Sequence, residues 1–173
     1  MIKKIVPFEQ VVYHSTLTKE ELVVHLQNEI EAEKSFGFGA SNHSYSKPYI
    51  GKIGTNIFEI KRAISYRNSF LPKIKGEIQN DFNGSKVYVK MNLDKLVKVF
   101  MIVWLSLVSI ACLAITYVTI SNGGLDPEGG FAVFIPFLML VFGIALVSIG
   151  FKVESKRSIK DLEELLKAKI IKQ

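Results

Sequence analysis

The residues best suited to chemistry lie between positions 61 and 72, where the sequence reads KRAISYRNSFLP. Arg62, Tyr66, Arg67 and Asn68 place two guanidinium groups, a phenol and an amide close together in the chain. Guanidinium groups recognise carboxylates and phosphates through paired N–H donors. One interpretation is therefore a polar patch that binds a lipid headgroup or a carboxylate ligand.

The alternative interpretation of this stretch is structural. Arg62 lies on the same face of a predicted strand as Ile60 and Ile64, because every second residue of a strand points to the same side, so its side chain is directed toward the apolar side of a sheet. A guanidinium in that position needs an anionic partner. It could pair with an acidic side chain such as Glu59 or Glu77, while the neighbouring donors form a corner. The sequence favours this structural alternative over a ligand site.

The rest of the chain lacks the patterns of an enzyme or a metalloprotein. No nucleophile lies near a base, no glycine-rich loop opens a helix in a nucleotide-binding pattern, and His14, His25 and His43 lack metal-ligand spacing. The single cysteine, Cys112, has no intrachain partner for a disulfide. We therefore expect no catalytic residues, no metal and no cofactor, and we expect a non-enzymatic protein.

Two uncharged apolar runs, 99–120 and 131–151, dominate the second half of the chain. A bilayer core about 30 Å thick is crossed by about 20 helical residues, so both runs are long enough. They predict a transmembrane helical hairpin within residues 96–151, with a connecting loop at 121–130.

Charge placement predicts the orientation of this hairpin. The loop 121–130 contains no lysine or arginine, whereas basic residues flank the hairpin on both sides. Because lysine and arginine are retained in the cytoplasm, both chain ends should be cytoplasmic and the loop outside. The chain has 22 Lys+Arg against 16 Asp+Glu, a net charge of +6. We attribute this excess to topology and to an anionic leaflet rather than to nucleic acid, because no basic helix or aromatic–basic motif accompanies it.

Residues 1–95 predict a cytoplasmic α+β domain. A strand at 5–14 precedes a helix over 18–33, which the capping box of Thr18 and Glu21 opens. From residue 48 onward, apolar and polar residues alternate in four runs, 49–54, 57–66, 70–79 and 86–93. These runs predict a four-stranded antiparallel β-meander with one solvated face, and the first strand could add a fifth member.

Residues 152–173 predict a separate cytoplasmic amphipathic helix, opened by a second capping box at Ser158 and Asp161. We expect this helix to pack on the α+β domain. The predicted fold is thus an antiparallel meander of four to five strands, covered by N- and C-terminal amphipathic helices, with an inserted transmembrane hairpin. The apolar positions of the C-terminal helix are Ile159, Leu162, Leu165, Leu166 and Ile170.

Three segments carry a resemblance: YRNSFLP at 66–72, G-x-I at 76–78 and G-x-K-V-x-V-K-M at 84–91, followed directly by the predicted hairpin. In these segments the chain resembles a group of uncharacterised small bacterial membrane proteins with two transmembrane helices, seen especially in Bacteroidota-type genomes. The resemblance covers about half the chain and implies a multi-pass protein of the bacterial inner membrane. It implies no activity and no site residues. The order of elements also resembles that of helix-grip ligand-binding domains and bacterial pleckstrin-like membrane domains.

Two functions remain open from the sequence. The first is a non-enzymatic membrane protein whose cytoplasmic domain binds a protein or an anionic lipid at the membrane surface, with a protein partner or a homo-oligomer as its possible assemblies. The candidate ligand- or lipid-binding residues are Arg62, Tyr66, Arg67 and Asn68. The second is a membrane-anchored domain that encloses a small apolar ligand between the sheet and the C-terminal helix. The first predicts no internal cavity beside Arg62, whereas the second requires one.

Overall fold

The computed structural model describes residues 7–32, 45–66, 68–123 and 133–172. Within these residues the protein is α+β, with a seven-stranded mixed sheet and three helices, two of them apolar. The elements follow in the order β1 (Phe8–Ser15), α1 (Lys19–Glu29), β2 (Ile30–Ala32), β3 (Tyr49–Ile53), β4 (Ile57–Arg62), β5 (Lys73–Asp81), β6 (Gly84–Asn92), α2 (Lys95–Ser121), α3 (Ile135–Leu165) and β7 (Ala168–Lys172).

The strands lie in the order β2-β3-β4-β5-β6-β1-β7. Strands β3 to β6 pair antiparallel with their neighbours in the chain, so the predicted meander is present. The sheet as a whole is not a pure antiparallel meander, because β2 pairs parallel with β3 and because β1 and β7 extend the other edge. The prediction missed β2 since a strand of three residues is too short to show an alternating pattern.

Helix α1 begins with the predicted capping box. The Thr18 side chain accepts a hydrogen bond from the Glu21 backbone N–H at 3.3 Å, and the Glu21 carboxylate accepts one from the Thr18 backbone N–H at 2.9 Å. The hydrogen bonds that the Glu21 carboxylate accepts from the Thr18 backbone N–H and from the Thr18 hydroxyl lower the pKa of Glu21. Leu22 and Leu26 are fully buried against the sheet, and the helix ends at Glu29 instead of at residue 33.

Helices α2 and α3 are each long enough and apolar enough to cross a membrane. The Asp94 side chain caps α2 by accepting a hydrogen bond from the Leu96 backbone N–H at 2.9 Å. Strand β6 ends at Asn92, so the sheet and α2 are joined by only the two residues 93 and 94. This short connection fixes one end of the sheet beside the first turn of α2.

The C-terminal segment differs from the predicted separate helix. Residues up to Leu165 continue α3 without interruption, so Ser158 lies in the middle of a helix and does not cap one. Residues 168–172 form β7, an edge strand that pairs antiparallel with β1. The chain turns at Lys167, whose φ of 47° is left-handed. The Ser15 hydroxyl donates to the Leu166 carbonyl at 2.7 Å and ties this helix end to β1.

The core lies between one face of the sheet and helices α1 and α3. Each large apolar side chain that is fully buried contributes about 1.5–3 kcal/mol, so this layer dominates the stability of the domain. The opposite face of the sheet is solvated, as the alternation predicted. The largest buried side chains of the core include Tyr13, Tyr49, Phe151, Leu22, Leu26, Ile60, Ile74, Met91 and Leu162.

Candidate functional site

The predicted donors converge on Glu154, an acidic residue of α3. The Arg62 Nη1 lies 3.0 Å from the Glu154 Oε2, the Tyr66 hydroxyl donates to the Glu154 Oε1, and the Asn68 Nδ2 lies 3.5 Å from the same oxygen. The Glu154 side chain is 4% exposed. The structure thus brings three of the four predicted residues together around a carboxylate of the chain itself, and we call Glu154 with these three donors the Glu154 cluster. Arg67 lies outside the described residues.

Arg62 points to the helix-covered side of the sheet, as the strand alternation predicted, but the partners suggested for it were wrong. Its Nε lies 3.4 Å from the Asp161 Oδ2, in addition to the contact with Glu154. Glu59 instead contacts Lys75 at 2.8 Å on the solvated face. The physical reason is the two-residue period of a strand, which places neighbours at odd spacing on opposite faces.

One face of α3 presents small and polar residues to the strand ends and to the loop that follows β4. Gly150, Glu154, Ser158 and Asp161 have the spacing of a single helical face. The Phe70 ring packs over the first of them, because a Cβ at Gly150 would lie 2.9 Å from its Cδ2. Sequence analysis missed Glu154, and the signal that could have revealed it is this stripe, which runs beside the apolar one.

Two tyrosines, one in the Glu154 cluster and one beside it, have raised pKa values. The hydrogen bond that the Tyr66 phenol donates to Glu154 raises the pKa of Tyr66. Burial, and then the charge of Asp161, raises the pKa of Tyr49, which is inside the core. Tyr66 is half exposed and forms the outer rim. Because Tyr66 and Asn68 both contact the Glu154 carboxylate, the cluster can hold the loop after β4 against α3.

The solvated face of the sheet forms a basic groove of about 820 Å³, which sequence analysis did not single out. Five lysines line it against two glutamates. We call this surface the lysine groove. Its charged lining residues are Lys52, Lys61, Lys73, Lys75, Lys90, Glu59 and Glu77.

The register of the strands orders the lysine groove into rows. Lys75 lies directly opposite Lys90 on β6 and opposite Glu59 on β4. Lys73 lies opposite Asn92, the last residue of β6, and so stands one row nearer to α2. Like charges directly opposite each other are destabilising in a sheet. Lys75 and Lys90 therefore repel each other across the two strands, and Glu59 on the other side of Lys75 offsets part of that repulsion.

Acidic side chains balance part of this charge. Lys75 pairs with Glu59 at 2.8 Å, and the Lys73 Nζ lies 2.6 Å from the Asp94 Oδ2. The hydrogen bond from Lys73, followed by the backbone N–H of Leu96, lowers the pKa of Asp94. These groups are largely solvated, so their pairing is weak. The groove keeps a positive excess.

A second groove of about 620 Å³ lies between α2 and α3 at the ends that face the sheet. We call it the interhelix groove. The loop after β4 forms its polar side, and the two apolar helices form the rest. Its lining residues are Asn68, Ser69, Phe70, Leu96, Val97, Phe100, Met101, Leu146 and Gly150.

Comparison of the chain with protein-family models, curated proteins and solved structures gives no match. The resemblance to small bacterial membrane proteins with two transmembrane helices therefore stays a prediction. In the part of the chain that the structure describes, no three His, Cys, Asp or Glu side chains are grouped so that they could hold a metal ion.

Proposed function

We propose that the protein is a non-enzymatic protein of the bacterial inner membrane whose sheet domain binds anionic phospholipid headgroups at the cytoplasmic surface. Helices α2 and α3 span the bilayer, and both chain ends are cytoplasmic. The observation that carries the proposal is the position of the groove lysines, which occupy the two rows of the solvated face that lie nearest to α2.

The distance from these lysines to the bilayer supports the proposal. With α2 in the membrane, the end of β6 at Asn92 stands at the membrane surface, because α2 begins at Lys95. A strand rises about 3.3 Å per residue, so the row of Lys75 and Lys90 lies about 7 Å along the strand from that end, which is the greatest height it can have above it. This is within the Debye length of about 8 Å at physiological salt. Each lysine at such a distance adds about 1 kcal/mol of attraction to an anionic leaflet.

The proposed orientation rests on the charges that flank the apolar helices. Lys95 and Lys98 stand in the first turn of α2, and Lys152 and Lys156 lie where α3 approaches the sheet. The loop 121–130 carries two acidic residues and no basic one. Retention of basic residues in the cytoplasm places the sheet domain there.

The packing of the core favours this proposal over a pocket for a small apolar ligand. Such a pocket would open between the sheet and α3, beside Arg62. That space holds the buried side chains of Tyr13, Phe151 and Leu162. Neither the lysine groove nor the interhelix groove is lined by Arg62. Both grooves lie on the outside of the domain.

The lipids that remain bound to the protein test the proposal directly. We would reconstitute the full chain in nanodiscs of mixed phosphatidylglycerol and phosphatidylcholine and identify the lipids that stay bound in native mass spectrometry. The wild type should retain phosphatidylglycerol preferentially, and Lys75→Ala/Lys90→Ala should lose most of that preference.

The matched control is Lys86→Ala/Lys169→Ala, which removes the same charge from the solvated face in the more distant row of His14. This control should keep the preference for phosphatidylglycerol. Equal retention in the wild type and both double variants would contradict the proposal. Extraction of the same variants from cell membranes in native-lipid particles tests the alternative: a bound protein that is lost only from Lys75→Ala/Lys90→Ala would show that the lysine groove serves a protein partner.

A further inference from the structure

We propose that the interhelix groove is a binding site for a single phospholipid, with one acyl chain held between α2 and α3 and the headgroup beside the loop after β4. The inference rests on the proposed function in one respect, the placement of both helices in the bilayer. It does not depend on the lysine groove, which lies on the opposite side of the sheet from α3.

The depth of the interhelix groove fits the upper part of a lipid. On α2 it is lined by Leu96, Val97, Phe100 and Met101, which lie within the first two turns of the helix. On α3 it is lined by Leu146 and Gly150, at the end of the apolar run. In a membrane these positions lie where the hydrocarbon core meets the headgroup region, so the acyl chain would enter the groove near its glycerol end.

The chemistry of the lining also fits a phospholipid. Its walls on α2 and α3 are apolar, and Asn68 and Ser69 supply the polar side chains at the rim. Lys98 does not line the groove, but it is exposed and stands three residues before the lining residue Met101, on the neighbouring strip of the helix surface, so its ammonium group borders the groove. This arrangement of apolar walls with a polar and basic rim matches an amphipathic lipid and not a wholly apolar molecule.

The loop that forms the rim is held in place by the contacts of the Glu154 cluster. The Asn68 Oδ1 accepts a hydrogen bond from the Phe70 backbone N–H at 2.9 Å, while its amide nitrogen faces Glu154. Phe70 packs over Gly150 and separates the groove from the sheet. A site whose rim is fixed before binding loses less conformational freedom when it is occupied.

The length of the interhelix groove argues against a helix from a second copy of the chain. From Leu96 to Met101 a helix advances about 8 Å at 1.5 Å per residue. Packing between transmembrane helices uses a long stripe of small residues. A notch of fewer than two turns, covered at one end by Phe70, suits a flexible chain better than a rigid helix.

Trp104, the single tryptophan of the chain, supplies a built-in probe. It lies about one turn below Met101 on α2, and its ring packs over Gly143. Phospholipids with brominated acyl chains quench tryptophan fluorescence on contact. We would reconstitute the full chain in phosphatidylcholine nanodiscs with an increasing fraction of brominated phosphatidylglycerol. A specific site should give a quenching phase that saturates at a low fraction of brominated lipid.

Filling the groove should abolish that phase. Val97→Phe adds bulk from α2 and Leu146→Phe adds it from α3, so two independent variants test the same space. The control is Val99→Phe, which makes the same enlargement at an exposed position of α2 that does not line the groove. The control should keep the saturating phase at the amplitude of the wild type.

Three outcomes would overturn the inference. Quenching that rises only in proportion to the brominated fraction would show annular lipid alone. A saturating phase that survives in both groove variants would place the lipid elsewhere. Quenching that depends on the ratio of protein to lipid would indicate a second copy of the chain. Lys75→Ala/Lys90→Ala should leave the phase intact, so failure of this site and failure of the lysine groove are distinguishable.

Discussion

Glu154 is a carboxylate that α3 buries close to the end of its apolar part. Arg62, Tyr66 and Asn68 supply the hydrogen bonds that a carboxylate would otherwise receive from water. Burying a charge without such partners costs far more than a single hydrogen bond returns. The donors that the sequence suggested for an external anion therefore compensate an internal one.

Removal of this carboxylate should destabilise the domain. Glu154→Ala leaves Tyr66 and Asn68 without their acceptor and Arg62 with Asp161 alone. We expect a loss of about 2–3 kcal/mol in the free energy of unfolding, measured as the apparent melting temperature of the protein in nanodiscs. The control is Glu59→Ala, which breaks the exposed pair with Lys75 and should change stability by less than about 1 kcal/mol. Equal effects of the two substitutions would contradict a structural role for the cluster.

Tyr13 should make the protein sensitive to alkali. Burial, and then the charge of Glu163, raises its pKa, and its hydroxyl donates to the Ile159 carbonyl at 3.0 Å. A raised pKa in the folded state stabilises the fold below the unfolded pKa of about 10, and this contribution is lost as the pH rises above that value. Tyr13→Phe should cost about 1 kcal/mol at neutral pH and should flatten the fall of the melting temperature above pH 10. An unchanged alkaline slope would count against this assignment.

Sequence analysis predicted part of the Glu154 cluster. The inward direction of Arg62 followed from strand alternation, which is a local property. Its partner Glu154 is 92 positions away in the chain, and a local pattern carries no information on such a pairing. Glu154 also stands among basic residues that read as the polar flank of an apolar helix, which concealed its burial.

Helices α2 and α3 approach closely at Gly143. A Cβ at this position would lie 2.3 Å from the Trp104 ring. Gly143→Ala should therefore push the helices apart and lower stability by about 1–3 kcal/mol, with a shift in the emission of Trp104. Ala114→Val enlarges an exposed position of α2 and should leave both readings unchanged. If Gly143→Ala stabilised the protein, helix propensity would outweigh the contact.

Two glycine substitutions near the turn between α3 and β7 should change stability in opposite directions. Lys167 has a left-handed backbone, which costs a residue with a side chain about 1–2 kcal/mol. Lys167→Gly should therefore raise stability by about 0.5–1 kcal/mol. Lys160→Gly, at an exposed position within α3, should lower it by about 1 kcal/mol. Thermal unfolding of both variants measures this pair, and a loss at both positions would mean that the helix continues through residue 167.

The same turn explains why β7 was not predicted. A glycine after Leu166 would have marked the end of the helix, but Lys167 takes that conformation instead. Ile170 continues the apolar spacing of Leu162 and Leu166, so the segment reads as helical. The pairing of β7 with β1 depends on residues more than 140 positions away, as the Ser15 contact with Leu166 shows.

At the scale of the whole molecule, the sequence predicted the apolar helices and the core of the sheet. Length and composition determine whether a helix can cross a membrane, and the alternation of β3 to β6 is a local pattern as well. The parallel pairing of β2 and the lysine groove are not local. Lys52, Lys75 and Lys90 come together only through the register of separate strands.

Reporter fusions would test the proposed topology. A fluorescent protein that matures only in the cytoplasm should be bright when fused after residue 173, because the basic flanks hold that end inside. Alkaline phosphatase, which is active only outside the cytoplasm, should be active when inserted after Asn122. The reverse pattern would place the sheet domain outside the cell, where its lysines could not contact the anionic cytoplasmic leaflet.

In the proposed membrane topology, the continuity of α3 couples the orientation of the sheet to the bilayer. This single helix of 31 residues is about 46 Å long at 1.5 Å per residue and carries core residues at its far end, including Leu162. An uninterrupted helix transmits rotation along its length, and the contacts of Glu154 with Arg62 prevent the sheet from slipping around it. A thinner or thicker bilayer changes the tilt of a spanning helix. The sheet would then tilt together with α3, and the height of its lysines above the leaflet would change with bilayer thickness.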